Sequence, residues 1–327
     1  MNLLIISNNL ERPSFRQRIE IYIDYLKNRN IICRVEKLPE SETARLKIFR
    51  KAKNFDAVFL HKKRLNPVDA FVLKRCSNKI IYDFDDAVMY DEDNPEKPSR
   101  KRAGDFARTV RIADIVIAGN KYLAQHAEKY NPNVEIITTG LDLKPYDIIT
   151  KTESGGKIRL VWIGSKSTIK YLVELKPALE KIGSLFNNVV LRIITDDFFD
   201  LQNMEVEKFQ WSLERQYSLL VSSDIGLAPL PNNSFTRGKC GFKILQYQAA
   251  GLPVVTSTVG VNLEFVDEGK TGLFANNTNQ WIEKISLLVE NENIRKQMGT
   301  EGKQHVQKFD CRLIAEKLCE LIENSVR

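Results

Sequence analysis

RGKCGFKILQYQAAGLPVVT, residues 237–256, reads as a basic loop, a helix, a tight break and a short buried strand. Gly238 and Gly241 let backbone amides come close to a ligand. Residues 242–250 start a helix from that loop, Gly251-Leu252-Pro253 ends it, and residues 254–256 form an apolar strand. A helix N-terminus carries unpaired N–H groups and a partial positive charge, so it attracts phosphate. Arg237, Lys239 and Lys243 add whole charges at the same place. Loop–helix–strand is also how any α/β domain is built, and surface loops are often basic. These residues alone support an anion site and an ordinary α/β connection alike.

Working outward, the rest of the chain has the same alternation. Apolar strands are expected at 2–7, 31–36, 56–61, 79–83, 114–118 and 134–138, with helices at 14–27, 40–53, 68–77, 101–112 and 121–130. Residues 141–157, LDLKPYDIITKTESGGK, break the pattern with Pro145, Gly155 and Gly156 and read as a linker. Strands then resume at 158–164, 189–195, 225–230 and 254–256, and helices at 168–185, 211–222, 242–250, 279–290 and 311–325. The expected fold class is α/β, two doubly wound parallel sheets. The expected domains are 1–145 and 157–310, with a final segment at 311–327. A chain of 327 residues suits two such domains. Ligands of such sheets bind beyond the carboxyl ends of the strands.

With those residues in view, the 237–256 block resembles the C-terminal signature of retaining family 4 glycosyltransferases (glycosyl transferases group 1), which have two Rossmann-like domains facing across a cleft (GT-B). The family carries a glutamate, seven residues, a second glutamate, a short helix end and Gly-Leu-Pro-Val-Val. Counted back from Gly251, the second glutamate falls on Gln246 and the first on Gly238. An amide at Gln246 keeps a donor and an acceptor for ribose hydroxyls; Gly238 offers no side chain to a donor sugar. The resemblance extends to WIGSKSTIKYL, residues 162–172. There the family has a glycine-arginine pair followed five residues later by a lysine, both gripping the donor diphosphate. Gly164 and Lys170 match, and Ser165 replaces the arginine with Lys166 beside it. A lysine in a helix's first turn is mildly disfavoured by the dipole unless it has a use. The resemblance thus implies donor diphosphate contacts from Gly164, Ser165, Lys166, Lys170, Arg237, Lys239 and Lys243, and a ribose contact from Gln246. Glu264 and the TGLF turn at 271–274 lie in further family-like segments.

The other motif is IIYDFDDAVMYDEDNPE, residues 80–96. Asp83, Asp85 and Asp86 follow a buried strand. Close carboxylates suit a base or an anchor for an acceptor hydroxyl, a Mg²⁺ or Mn²⁺ site, or a cap for the next segment. His61 ends the strand before it and is read either as an acceptor-side base or as a structural histidine. Catalytic candidates are therefore Asp83, Asp85 and His61, with Asn8 and Asn9 in a neighbouring loop.

Composition narrows the classes. With 43% hydrophobic and 28% charged residues the chain is globular, and no apolar run approaches the roughly 20 residues of a membrane span. Five scattered cysteines without a CxxC pair, three histidines and a start directly on a strand point to a cytoplasmic protein without a disulfide scaffold or zinc site. No cofactor or divalent metal is expected. Residues 1–150 hold 27 lysines and arginines against 21 acids, most of the net +7. That excess fits an anionic acceptor or an anionic membrane surface, and equally a solvated face. Tyr22, Ile23 and Leu26 beside Arg16, Arg18 and Lys27 form one candidate membrane surface or a core-packed helix. Nucleic acid is not expected, because the basic groups lack interleaved aromatics. The expected function is sugar transfer from a nucleoside-diphosphate sugar to a hydroxyl of a glycan or lipid-linked acceptor, with retention and without metal. A non-catalytic nucleotide-sugar-binding relative and a nucleotide-sugar epimerase are the alternatives.

Overall fold

The structure is a computed structural model that describes residues 1–97, 99–150 and 155–326. The chain forms two compact units. The first comprises Met1–Gly140, Asn233–Cys240 and Phe309–Arg327; the second comprises Leu141–Asn232 and Gly241–Lys308. Residues 151–154 of the expected linker lie outside the described residues.

Unit 1 is built on the parallel strands β1 (Asn2–Ser7), β2 (Ile32–Lys37), β3 (Ala57–His61), β4 (Ile80–Phe84), β5 (Ile115–Ala118) and β6 (Val134–Ile136), in the order β2-β1-β3-β4-β5-β6. Its central strands are covered on both faces, which is why they read as unbroken apolar runs. Side chains alternate between two cores, with Leu4, Ile6, Val58 and Leu60 on one face and Leu3, Ile5, Phe59 and Ile81 on the other. The second core is completed from the far end of the chain. The helix Cys311–Val326 buries Cys311, Ile314, Ala315, Leu318, Cys319 and Ile322, the three-and-four spacing of one helix face. Tyr22 and Leu26 belong to the same core, at 1% and 2% exposure, and the surface proposed for them is instead packed inside. The helix expected at 14–27 is broken into Pro13–Arg18, Glu20–Tyr22 and Ile23–Asn28.

Unit 2 has β7 (Ile158–Ile163), β8 (Val189–Ile194), β9 (Glu205–Phe209), β10 (Ile225–Ala228), β11 (Val254–Thr256) and β12 (Gly272–Phe274), all parallel, in the order β12-β11-β10-β7-β8-β9. β9 was not expected, and the TGLF turn supplies a sixth strand. The helix expected at 168–185 is two, Ile169–Val173 and Lys176–Leu185, and the second carries Pro177 in its first turn. A helix at Glu292–Val306 was also not expected. Its Gly299 lies against Gly251, where a β-carbon would sit 2.1 Å from the Gly251 carbonyl oxygen.

In each sheet the strand order reverses once, between β1 and β3 in unit 1 and between β7 and β10 in unit 2. At such reversals the connecting helices leave to opposite faces, and a crevice opens at the carboxyl ends of the two strands. Both groups of candidate residues lie at these places.

Candidate active site

In unit 1 the last residues of three strands are in register, Ser7 opposite His61 and His61 opposite Asp83. All three are buried. Ser7 Oγ is 3.0 Å from His61 Nδ1, and His61 Nε2 is 3.9 Å from Asp83 Oδ2. The Arg18 guanidinium, 4% exposed, grips both oxygens of Asp83 and also donates to the Ile137 carbonyl at 2.6 Å. Lys62 reaches Asp85 Oδ1 at 2.8 Å and Asp86 Oδ2 more closely still. Asp86 Oδ1 in turn lies 3.6 Å from Lys239 Nζ. Three cations thus face three carboxylates.

Burial favours neutral forms here and the ion pairs favour charged ones. For Asp85, burial raises the pKa, but Lys62, with His61 and Arg18, holds the carboxyl well below the usual range. For Lys62, burial lowers the pKa and Asp85 and Asp86 raise it further than that. For His61 burial dominates over Asp83 and Asp85, and the imidazole titrates below its ordinary value. At neutral pH it is uncharged, with Nε2 buried and without a hydrogen-bond partner. Lys62 is one of two non-glycine residues with positive φ among those described, at 58°, and its own N–H donates to the Asp83 carbonyl at 2.7 Å. Among the described residues, no group of histidine, cysteine, aspartate and glutamate is arranged to hold a metal ion.

In unit 2, β7 ends in a turn. Gly164 N–H donates to the Ile194 carbonyl at 3.1 Å, Thr168 N–H to Ser165 O at 2.9 Å, and Ser165 N–H to Thr168 Oγ1 at 3.1 Å. Lys166 and Lys170 are exposed on this turn and on the short helix after it. Gly164 carries no side chain because Trp162 fills the space: a β-carbon would lie 2.4 Å from the indole. Over the same indole sits Lys243 Nζ, 4.4 Å from the ring centroid. Lys243 belongs to the helix Phe242–Ala249, whose start is set by Gly241 at φ 63°. Tyr247 of that helix accepts from Ile163 N–H at 3.1 Å and donates to Leu227 O at 3.0 Å. The helix is thereby fixed to the ends of β7 and β10, the two strands that flank the reversal. Gln246 is buried, with its amide donating to Gln216 Oε1 at 3.1 Å, and Gln216 also accepts from Trp211 Nε1 at 3.3 Å.

Arg237, Gly238 and Lys239 fold with unit 1. Phe235 enters the core beside Phe84, Ala87 and Leu123, and Tyr122 Oη donates to the Ser234 carbonyl at 2.9 Å. A β-carbon on Gly238 would lie 2.7 Å from the Ala87 Cβ and 2.9 Å from Leu123 Cδ2. The position that carries a glutamate in the resembled family has no room for any side chain here. Arg18, Ser7, Tyr247 and Asn120 were not read as site residues. Their partners are distant in sequence, and no local pattern marks them.

Residues 149–291 match the family model described as "Glycosyl transferases group 1". A D-inositol 3-phosphate glycosyltransferase of Corynebacterium jeikeium is 34% identical over 104 residues, 31% of this chain and 24% of that protein. The chain spans about a quarter of the length of the curated relatives it matches first. Among solved structures, Anabaena HepE in complex with UDP-glucose is similar with a TM-score of 0.75 at 15% identity, covering 99% of this chain and 100% of that one. Sucrose-phosphate synthase from Thermosynechococcus elongatus gives 0.78 at 12% identity, covering 99% and 98%. No described helix is long and apolar enough to cross a membrane. Residues 149–291 therefore match the group 1 glycosyl transferase family model, in a chain whose two-sheet fold is the one these solved structures share.

Proposed function

We propose that the protein is a glycosyltransferase that moves a sugar, with retention, from a nucleoside-diphosphate sugar to a hydroxyl of a glycan or lipid-linked acceptor. One observation carries the reading. In unit 2 the Gly164–Lys170 turn and the start of the helix Phe242–Ala249 come together at the strand-order reversal, joined by Lys243 over Trp162. This arrangement suits the leaving group. As the sugar–oxygen bond breaks, negative charge grows on the diphosphate, and amides and cations already in place stabilise it. Gly241, at the N-cap, has no side chain with which to cap the first N–H groups of the helix. Those amides, with Lys166, Lys170 and Lys243, supply that field without a divalent cation.

The acceptor side is assigned to unit 1, which holds most of the positive excess. Neutral His61, with Nε2 free to take a hydrogen bond, is the group proposed to meet the acceptor hydroxyl. Asp83 and Asp85 act through it and through their cations. The five cysteines are free, which suits a reducing cytoplasmic compartment. A lipid-linked acceptor would bring the enzyme to the inner face of the membrane.

The test is calorimetry with UDP, GDP, ADP and CMP, with and without Mg²⁺. Metal-independent binding of one diphosphate is expected. The Lys170→Ala variant should lose about 3 kcal/mol of transition-state stabilisation, roughly a hundredfold in rate, with its melting temperature unchanged. A wild-type turnover rate in that variant would remove Lys170 from the site. If none of the four nucleotides binds, the reading passes to a non-catalytic relative, and the absence of carboxylates at Gly238 and Gln246 would be the natural reason.

A further inference from the structure

Three helices of unit 1, Glu42–Lys51, Pro67–Cys76 and Arg100–Ile112, pack on one face of its sheet, where Phe49, Leu73 and Phe106 share a core with Leu4 and Leu60. Pro67–Cys76 is the middle helix and touches both of the others. Together the three hold eleven lysines and arginines against three acids, a surplus larger than the +7 of the whole chain. Asp69, Glu36, Asp114, Asp91 and Asp105 answer five of these cations. The other six, among them Lys47, Arg75 and Arg111, are exposed and have no ion pair among the described residues.

The middle helix is amphipathic in the reverse sense as well. Its inner side buries Ala70 and Leu73, and its outer side shows Val68 and Phe71, 47% and 69% exposed and one turn apart. Neither is needed to start the helix, because Asn66 Oδ1 accepts from Asp69 N–H at 2.8 Å. The loop before it adds Lys63 and Arg64, half-buried and also without an ion pair among the described residues. Burial, with Arg45 near the first and Arg102 near the second, holds both below their ordinary pKa, so positive charge is crowded here rather than cancelled.

We propose that this layer of unit 1 docks on an anionic lipid bilayer, with Val68 and Phe71 entering the interface and the cations around them meeting phosphate headgroups. Apolar side chains ringed by lysine and arginine suit the boundary where acyl chains give way to negative charge. Nucleic acid would answer the charge, but Phe71 stands beside a valine rather than among further exposed aromatics on its helix. Tyr22 and Leu26, the surface expected from the sequence, are buried and leave this helix in their place. For its use the inference rests on the lipid-linked acceptor proposed above, and its test needs neither donor nor acceptor.

The test is sedimentation of the full chain with vesicles of phosphatidylcholine alone and of phosphatidylcholine mixed equally with phosphatidylglycerol. Binding to the mixed vesicles only, released by salt, is expected. Phe71→Ser should weaken it about tenfold and Arg75→Gln about fivefold, both with the melting temperature unchanged. Leu313→Ser removes an equally isolated exposed side chain, 45% exposed, from the helix Cys311–Val326 on the opposite face of the sheet, and should bind as wild type does. Failure of the wild-type protein to bind the mixed vesicles overturns the proposal, and so does binding by Phe71→Ser within twofold of wild type. Binding of a single-stranded RNA in place of vesicles would assign the surplus to nucleic acid and overturn it too. Nucleotide calorimetry is done without vesicles, so the donor reading stands or falls separately.

Discussion

The carboxyl edges of the two sheets are built from opposite uses of charge. In unit 1, Arg18, Lys62 and Lys239 are turned on Asp83, Asp85 and Asp86, and most of this network is buried. In unit 2, Lys166 and Lys170 stand exposed on a glycine-started turn beside a helix N-terminus. One edge neutralises itself, and its charges keep each other in place. The other carries Lys166 and Lys170 at the surface. A cluster of acids after a strand therefore does not by itself identify reactive carboxylates. Whether cations were folded in beside them decides the matter.

The largest expected effect tests the self-neutralised edge. Asp83→Ala leaves the Arg18 guanidinium buried without its counter-ion, and stability should fall by about 3–5 kcal/mol in denaturant titration. Replacing both partners, Arg18→Met with Asp83→Leu, should recover most of the loss. A single variant within 1 kcal/mol of wild type would mean that the pair does not hold unit 1 together.

A middle effect concerns the glycine that departs from the family pattern. Gly238→Glu restores the sequence motif but forces a side chain against Ala87 and Leu123. It should cost about 1–3 kcal/mol and weaken nucleotide binding rather than improve it. Gain of activity by this variant would show that the segment has room the structure denies it.

The smallest effect is one of pH. His61 has a folded pKa below its unfolded value near 6.5, so the unfolded chain takes up the proton first. Its contribution to stability is complete above about pH 6.5 and is lost as pH falls below that, by at most about 1.4 kcal/mol per pH unit. His126 and His305 are also lowered by burial and act in the same direction. The share owed to His61 is the difference between wild type and His61→Gln, and equal slopes for the two proteins would show that His61 contributes nothing.

Much of the fold was legible because it is written locally. All six strands of unit 1 were read, and the inner ones β1, β3 and β4 most plainly, since strands buried on both faces are apolar runs bounded by polar turns. β9 was not, because Glu205-Val-Glu-Lys-Phe is an edge strand with mostly polar residues. The helix Glu292–Val306 contains Gly299 and Gly302, residues of low helix propensity that are here the points where it meets Gly251 and Gln248. The Gly164–Lys170 turn and the helix after Gly241 were likewise read from local glycine and lysine spacing. The unit 1 network was half legible. Asp83, Asp85 and His61 stood at strand ends, but Arg18, 65 residues from Asp83, had been grouped with surface cations. Nothing local could show that Gly238 folds against Asn120, 118 residues away.

Lys62 carries one more consequence. A left-handed backbone at a lysine costs roughly 1–2 kcal/mol, and glycine or asparagine is the usual occupant. Here the conformation is secured by the ammonium's grip on Asp85 and Asp86 and by the N–H bond to Asp83. The handedness of the main chain after β3 is thus tied to the ionisation of two side chains on the loop after β4. Protonating or removing those carboxylates would free the peptide to swing into an ordinary extended form, so this corner of the molecule converts a change of charge into a change of backbone shape.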